Sequence, residues 1–254
     1  MNFSLRNSNF VGVSFGDKVG NMAKTPDPAQ DEAVVRRAPL FTALDDSAAS
    51  TLKAAMTTVK INKGGVLFSE GDDGQTLYVI VDGKIKLGTR SGDGRENLLS
   101  ILGPGEMFGE LSLFDVGPRT ATATAVTDTR LLALGHDKVI PWVTAHPEVS
   151  LQLLARLAQR LRRTNEVVSD LVFSDVPGRV AKALIDLGER FGVKKDDGFH
   201  VNHDLTQEEL AQLVGASRET VNKALADFAA RGWLRLEARA VVVLDYERLA
   251  KRGK

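Results

Sequence analysis

The chain has 254 residues, 43% of them apolar and 26% charged, and 33 Lys+Arg balance 33 Asp+Glu for a formal net charge of +0. That length and apolar content suffice for two modest cores. No run of 18 or more apolar residues occurs, which excludes a membrane-spanning helix. The absence of Cys excludes disulfides, thiolate iron–sulfur clusters and Cys-based zinc sites. A cytoplasmic location is expected, since the N-terminal residues lack the apolar stretch of a secretory signal.

Residues 1–30 are rich in Asn, Ser, Gly and Pro without a sustained period, which predicts a disordered tail. Met22 is an alternative start. A first domain is expected over residues 31–145. Short helices are predicted from Asp31 to about Lys60, with Pro39-Leu40-Phe41 packed between them. Residues 61–134 are β-rich. Asp-Gly recurs at Asp73-Gly74, Asp82-Gly83 and Asp93-Gly94 between apolar strands, a hairpin signal because type I′ turns need positive φ. The regular short strands predict a β-barrel or β-roll.

Within this domain, residues 103–121 form a Gly-rich stretch containing Gly109-Glu110-Leu111-Ser112 and then Arg119-Thr120. A short helix beginning near Gly109 would offer free backbone N–H groups to an anion. Arg119 supplies a forked cation and Thr120 a hydroxyl, a suitable pair for a phosphate. Glu110 cannot bind phosphate directly; it can accept a hydrogen bond from a sugar hydroxyl and orient Arg119. A purely structural Glu–Arg ion pair accounts for the spacing equally well.

A long helix is predicted over residues 146–175. Leu154, Leu157, Leu161, Thr164, Val168 and Leu171 recur at spacings of 3, 4, 3, 4 and 3, an a/d seam over more than two heptads. Arg160, Arg162, Arg163 and Glu166 flank it with charge. This favours a parallel homodimer over a helix packed only on its own domain. Thr164 is the polar seam position, which sets register or touches something polar.

Residues 176–254 are expected to form a second domain. Thr206 can N-cap a helix, with Glu209 in capping-box position and Leu210, Leu213 and Val214 on its apolar side. Gly215 stands at the C-cap. Ser217 caps a second helix with Val221, Ala224, Leu225 and Phe228 apolar. Its first turn presents Arg218, Glu219, Thr220 and Asn222, with Lys223 one turn on. This is a helix-turn-helix, whose second helix places its first residues against base edges; an ordinary αα-hairpin is the plainer alternative. Arg chelates guanine and Glu accepts from the cytosine amino group. Residues 231–244 read as two strands around a tight turn, a wing in which Arg235 and Arg239 either touch phosphates or stand solvated. Charge is distributed unevenly: residues 31–145 hold 12 Lys+Arg against 15 Asp+Glu, and residues 177–254 hold 14 against 12. The DNA-facing part is thus only mildly basic, so individual Arg and Lys placement matters more than bulk charge.

Three of these motifs carry a resemblance covering about residues 33–250. Phe108-Gly109-Glu110-Leu111-Ser112 with Arg119-Thr120-Ala121 resembles the phosphate-binding cassette of the Crp/Fnr family of bacterial transcription regulators. Arg160-Leu161-Arg162-Arg163-Thr164-Asn165 is similar to that family's purine-reading segment, and Val214-Gly215-Ala216-Ser217-Arg218-Glu219-Thr220-Val221 to its recognition helix. Within the family, the cyclic-AMP receptor proteins of actinobacterial type are the most alike. The resemblance implies an α+β chain: an N-terminal cyclic-nucleotide-binding β-roll, a long dimerisation helix and a C-terminal winged helix-turn-helix.

It also implies roles. Gly109 and Glu110, with Leu111 and Ser112, would hold the ribose, and Arg119 and Thr120 the cyclic phosphate. Thr164 would contact the adenine amino group, and Asn165 the same base from the partner subunit. Arg218, Glu219, Asn222 and Lys223 would face bases, and Thr206, Gln207 and Ser217 the phosphates. Departures are visible. The Glu110–Arg119 loop is one residue shorter than in the enterobacterial proteins, and Asn165 stands where those have Ser. Lys223 replaces a forked Arg with a point donor, and Gln207 replaces a basic phosphate contact. The lack of Cys argues against an oxygen sensor, and the scattered His136, His146, His200 and His203 argue against a haem. The implied activity is non-enzymatic: a cyclic-AMP-responsive homodimer on palindromic TGTGA-like operators, with RNA polymerase as a further partner, no metal and no membrane. The same scaffold answering another small molecule, or binding DNA without a ligand, is the alternative; a cyclic-nucleotide-gated enzyme or channel subunit fits less well.

Overall fold

The computed structural model describes residues 28–254 except residues 93, 95, 112–114 and 116. The expected tail therefore lies outside the described residues up to residue 27, as does Ser112. Its last three positions are helical instead. Helix α1 (Pro28–Val35) begins at a proline, which suits a first helical turn, and carries Asp31 there. Helix α2 (Asp46–Ala54) follows, capped by Asp45, whose carboxylate accepts from the Ala48 N–H at 2.8 Å.

Eight strands make the roll: β1 (Thr57–Ile61), β2 (Val66–Phe68), β3 (Thr76–Asp82), β4 (Ile85–Arg90), β5 (Glu96–Leu102), β6 (Met107–Phe108), β7 (Thr122–Ala125) and β8 (Thr129–Gly135). They form two antiparallel sheets, ordered β1-β8-β3-β6 and β2-β7-β4-β5. Ile80, Ile85, Leu87, Phe108, Leu131 and the inward alanines Ala121, Ala123 and Ala125 fill the space between. Alternation along β7, with Ala inward and Thr outward, is what a two-faced strand requires.

Two of the Asp-Gly pairs are not hairpin turns. β3 pairs with β8 and β6, whereas β4 pairs with β5 and β7, so Asp82-Gly83 turns a corner between sheets. Asp73-Gly74 likewise links β2 and β3, which lie in different sheets. Asp-Gly marks a break between strands, not the identity of the next strand's neighbour, and Gly74 does not take a positive φ. Gly83 has φ +88, and a Cβ there would fall 2.4 Å from the Asp128 carbonyl oxygen. Gly94 alone of the three lies between paired neighbours, β4 and β5.

Helix α3 (His136–Ala145) leads into α4 (Pro147–Phe173), the long helix. One face of α4 buries Val149 and Leu153 against Leu40, Phe41 and Leu52. The stripe beside it is bare: Leu154 is 61% exposed, Leu161 62%, Val168 56% and Leu171 50%, with Leu157 half-buried. A protein of this size does not leave such a stripe of leucines in water without a partner for it.

Helix α5 (Val176–Phe191) starts at Asp175, which caps the Gly178 N–H at 2.9 Å, and is followed by β9 (Gly192–Lys195) and β10 (Gly198–Val201). Then come α6 (Gln207–Val214), α7 (Arg218–Ala230), β11 (Leu234–Glu237), β12 (Ala240–Val243) and α8 (Tyr246–Arg252). The expected wing is β11–β12, but it belongs to a four-stranded sheet ordered β11-β12-β10-β9. The second pair turns at Asp197-Gly198, with Gly198 at φ +140, an Asp-Gly as legible as the other three. A shared cluster joins Leu98, Ile101 and Val126 of the roll to Leu184, Leu205 and Leu210 of the C-terminal part. The cores are therefore not two separate ones.

His203 sits in this part, 5% exposed, accepting the Leu205 N–H on Nδ1 at 3.1 Å. Burial is the main cause that pushes its pKa down to about 4; Asp204 opposes and Lys84 adds. A histidine neutral in the fold but free to protonate when unfolded stabilises above the ordinary value near 6.5 and loses that contribution as pH falls toward 4. Unfolding at pH 7 and pH 4 is expected to show about 3 kcal/mol less stability at the lower pH from this residue. The His203→Gln protein should lack that component of the pH dependence; equal pH profiles would overturn it.

Candidate functional site

Arg119 lies where the two sheets meet and is only 4% exposed. Its Nη2 donates to the Thr76 carbonyl at 2.7 Å and its Nη1 to the Gly109 carbonyl at 3.2 Å. The guanidinium rests 4.2 Å from the Phe68 ring centre and 5.8 Å from that of Tyr78. Burial draws its pKa down from the ordinary value, with Tyr78, Asp72 and Glu110 opposing. Gly109, at φ +85, permits this approach: a Cβ there would fall 2.8 Å from both Arg119 Nη1 and the Thr76 oxygen.

Glu110 is also 4% exposed, but it does not orient Arg119. Its Oε1 pairs with Arg160 of α4. Backbone carbonyls orient Arg119 instead, so the alternative of a Glu110–Arg119 ion pair is not formed; the pair Glu110 makes joins the roll to the long helix. Two of the four buried polar atoms without a partner among the described residues fall here, Glu110 Oε2 and Arg119 Nε; the others are Trp142 Nε1 and Asn222 Oδ1. Buried orphans of this kind call for a ligand or water. One acceptor and one forked donor beside Phe68, Leu87, Gly109 and Thr120 suit a sugar hydroxyl and an anionic ester. Arg119 and these four residues line a cavity of about 30 Å³, with Glu110 next to its wall in sequence but not on it, room for about one water. A nucleotide enters only if Arg160 and its neighbours move outward.

Thr120 and Leu111 are exposed at the rim. Thr164 and Asn165 are exposed on α4 and do not line this cavity; the Thr164 hydroxyl donates to the Arg160 carbonyl at 3.0 Å. Within one chain they are thus not brought to Arg119. They lie beside the bare leucine stripe.

The helix-turn-helix geometry follows its local signals. The Thr206 Oγ1 accepts from the Glu209 N–H at 3.1 Å while Glu209 Oε2 accepts from the Thr206 N–H at 2.8 Å. Gly215 closes α6 at φ +69, and Ser217 accepts from the Thr220 N–H at 3.2 Å to open α7. Arg218, Glu219 and Lys223 are exposed, and Asn222 is half-buried with Oδ1 unpartnered. Glu219 and Lys223 pair at 2.7 Å, a contact that water screens and DNA can replace at little cost. Gln207 is exposed at the α6 start. The hydroxyls of Thr206 and Ser217 are engaged with Glu209 and Thr220.

The wing arginine Arg235 is held by Asp197 at 2.7 Å and Glu237 at 3.2 Å, which keeps it protonated and balances its charge. Arg239, at φ +58, donates to the Asp204 carbonyl.

Contacts between the roll and the C-terminal part escaped sequence reasoning. Lys84 pairs with Asp204, and Lys86 with Glu209 at 2.6 Å. Burial raises the Glu209 pKa, but Lys86 and the Thr206 donors together take it below the ordinary value. Arg190 reaches Glu106 at 2.5 Å and the Ile101 carbonyl. Nothing local in the sequence marks these pairs.

Residues 58–145 match the cyclic nucleotide-binding domain family and residues 178–252 the Crp-like helix-turn-helix domain family. A CRP-like cAMP-activated global transcriptional regulator of Mycobacterium tuberculosis is 53% identical over 223 residues, covering 88% of this chain and all of that one. A cyclic AMP receptor protein of Thermus thermophilus is 40% identical over 72% of this chain and 82% of that one. Among solved structures, the c-di-GMP responsive global regulator of Xanthomonas campestris superposes with a TM-score of 0.69 at 26% identity, covering 78% of this chain and 99% of that chain. The buried cation at the sheet junction, the long helix with its bare stripe, and the capped helix pair accord with both family matches, and the chain belongs to the Crp/Fnr family of transcription regulators.

Proposed function

We propose that this protein is a cyclic-AMP-responsive transcription regulator, acting as a homodimer on palindromic TGTGA-like operators, and that it performs no covalent chemistry. The observation that carries this is the pair of orphaned buried atoms, Glu110 Oε2 and Arg119 Nε, beside a forked cation in a cyclic nucleotide-binding domain. Gly109 and Glu110 would hold the ribose, with Leu111 and Ser112 beside them. Arg119 and Thr120 would hold the cyclic phosphate. Displacement of Arg160 from Glu110 by the ribose couples the ligand to α4. Residues 31–145, 146–175 and 176–254 act as the sensing, dimerising and DNA-binding parts. Two ligands would stiffen the paired α4 helices and set the two α7 helices on half-sites roughly 34 Å apart. RNA polymerase is the expected further partner.

Calorimetric titration of the dimer with cyclic AMP, cyclic GMP and cyclic di-GMP tests this. Tightest binding of cyclic AMP supports it; binding of another nucleotide alone, or DNA binding indifferent to all three, overturns it. Thr164 can donate or accept, so its chemistry admits either purine, and family membership favours adenine. With Thr164 and Asn165 choosing the purine, Thr164→Ala is expected to lose the preference for cyclic AMP over cyclic GMP. Unaltered discrimination in the same titration would count against the role.

On DNA, Arg218 is exposed in the first turn of α7, and its fork suits guanine O6 and N7. Glu219 would accept from cytosine N4 and repel a phosphate, which favours base reading over backbone attraction. Arg218→Ala is expected to relax specificity at one G·C pair per half-site by about 1–3 kcal/mol. Selection of sites from random DNA reads this: recovery of an identical motif by both proteins means Arg218 reads no base.

A further inference from the structure

We propose that the concave surface between the turn after α1, the β5–β6 turn and the outward side of α4 binds a small phosphorylated metabolite, at a site separate from the Arg119 cavity. The cavity measures about 350 Å³, against about 30 Å³ beside Arg119, and falls in the range of small-ligand sites. Arg37, Thr42, Glu106, Gln152, Arg156 and Gln159 are on its wall.

The charge balance selects the ligand class. Arg37 is exposed, and its side chain has no hydrogen bond or ion pair among the described residues. Arg156 spends one nitrogen, Nη2, on Glu106 Oε1 at 3.2 Å. Glu106 does not depend on that contact, because its Oε2 takes Arg190 at 2.5 Å and the Gly103 N–H at 2.8 Å. Arg190 is not on the wall. The cavity therefore presents two guanidiniums and a carboxylate already matched from behind. Gln152, Gln159 and Thr42 add neutral donors. Guanidinium forks bind phosphate oxygens two at a time.

The wall is set firmly. Gly105, at φ +85, is seated so closely that a Cβ would stand 3.3 Å from both Arg37 Cβ and the Val34 oxygen. Its N–H donates to the Ile80 carbonyl at 2.8 Å, and Ile80 N–H returns to the Glu106 carbonyl at 2.9 Å. The site also stays open in a dimer. Gln152, Ala155 and Gln159 recur at i, i+3 and i+7 on a side of α4 away from Leu154, Leu161 and Val168. An anion that draws Arg156 from Glu106 acts on the residue that holds Arg190 of α5, and so reaches the DNA-binding part.

Titration of the full-length dimer with glycerol 3-phosphate, with and without saturating cyclic AMP, tests the site, with sulfate as the comparison anion. Binding of glycerol 3-phosphate at about 1 mM or tighter is expected, persisting with cyclic AMP bound and tighter than that of sulfate. Arg37→Gln, which removes no described contact, and Arg156→Gln should each weaken it at least about ten-fold, a loss of about 1.4 kcal/mol. Three results would overturn the proposal: no binding at ~10 mM, binding abolished by cyclic AMP, or sulfate-like binding that survives Arg37→Gln.

Discussion

Arg119→Ala is expected to abolish tight cyclic-nucleotide binding while the roll stays folded. The guanidinium is the buried cation at the sheet junction, held by two backbone carbonyls and floored by Phe68. It is thus set in place before any phosphate arrives, and little ordering cost remains for binding. Losing a charge-assisted contact to a buried anion costs about 2–5 kcal/mol, a factor of thirty to several thousand in affinity. The variant also frees the Thr76 and Gly109 carbonyls, so a modest loss of roll stability accompanies the effect. Calorimetry with cyclic AMP reads the first change and circular dichroism the second. A dissociation constant equal to wild type, in a folded variant, would remove Arg119 from the site.

Replacing Leu157 and Leu161 together with Asp is expected to give monomers. Leu161 is 62% exposed in the single chain and Leu157 half-buried, and neither belongs to the core beneath the roll, which Val149 and Leu153 enter. Aspartates buried opposite their own copies across a seam carry a desolvation and repulsion cost of several kcal/mol. Sedimentation should therefore show a folded monomer with or without cyclic AMP. Affinity for a palindrome should fall by about two orders of magnitude or more, because the second half-site no longer binds at high effective concentration. A persistent dimer would place the main interface elsewhere.

Much of the architecture was legible because its signals are local. The Thr206–Glu209 capping box, the Gly215 C-cap and the Ser217 N-cap each act over a turn or two, and each appears as the residues dictate. The same holds for the α4 seam, a period that any helix expresses. Boundaries were less secure: α1 begins at Pro28, inside the expected tail. Of the three Asp-Gly pairs expected as hairpin turns, the one at Gly94 joins paired strands, while Asp82-Gly83 and Asp73-Gly74 lead from one sheet to the other. A dipeptide sets its own φ, whereas a strand's neighbour is set by how the sheets pack.

The sequence by itself determined the helix-turn-helix, the seam along the long helix, the glycine-bearing loop with its single arginine, and the family those motifs indicate. Tertiary structure alone decided which charges meet. Glu110 pairs with Arg160, 50 residues away, and not with Arg119, and Lys86 finds Glu209 across 123 residues. It also placed Phe68 and Tyr78 beneath the cation, and left Glu110 Oε2 and Arg119 Nε buried with no partner among the described residues. The physical reason is one of range. Capping and periodicity are energies of neighbouring residues, readable one segment at a time. Ion pairing and burial depend on groups brought together only when the whole chain has closed its cores.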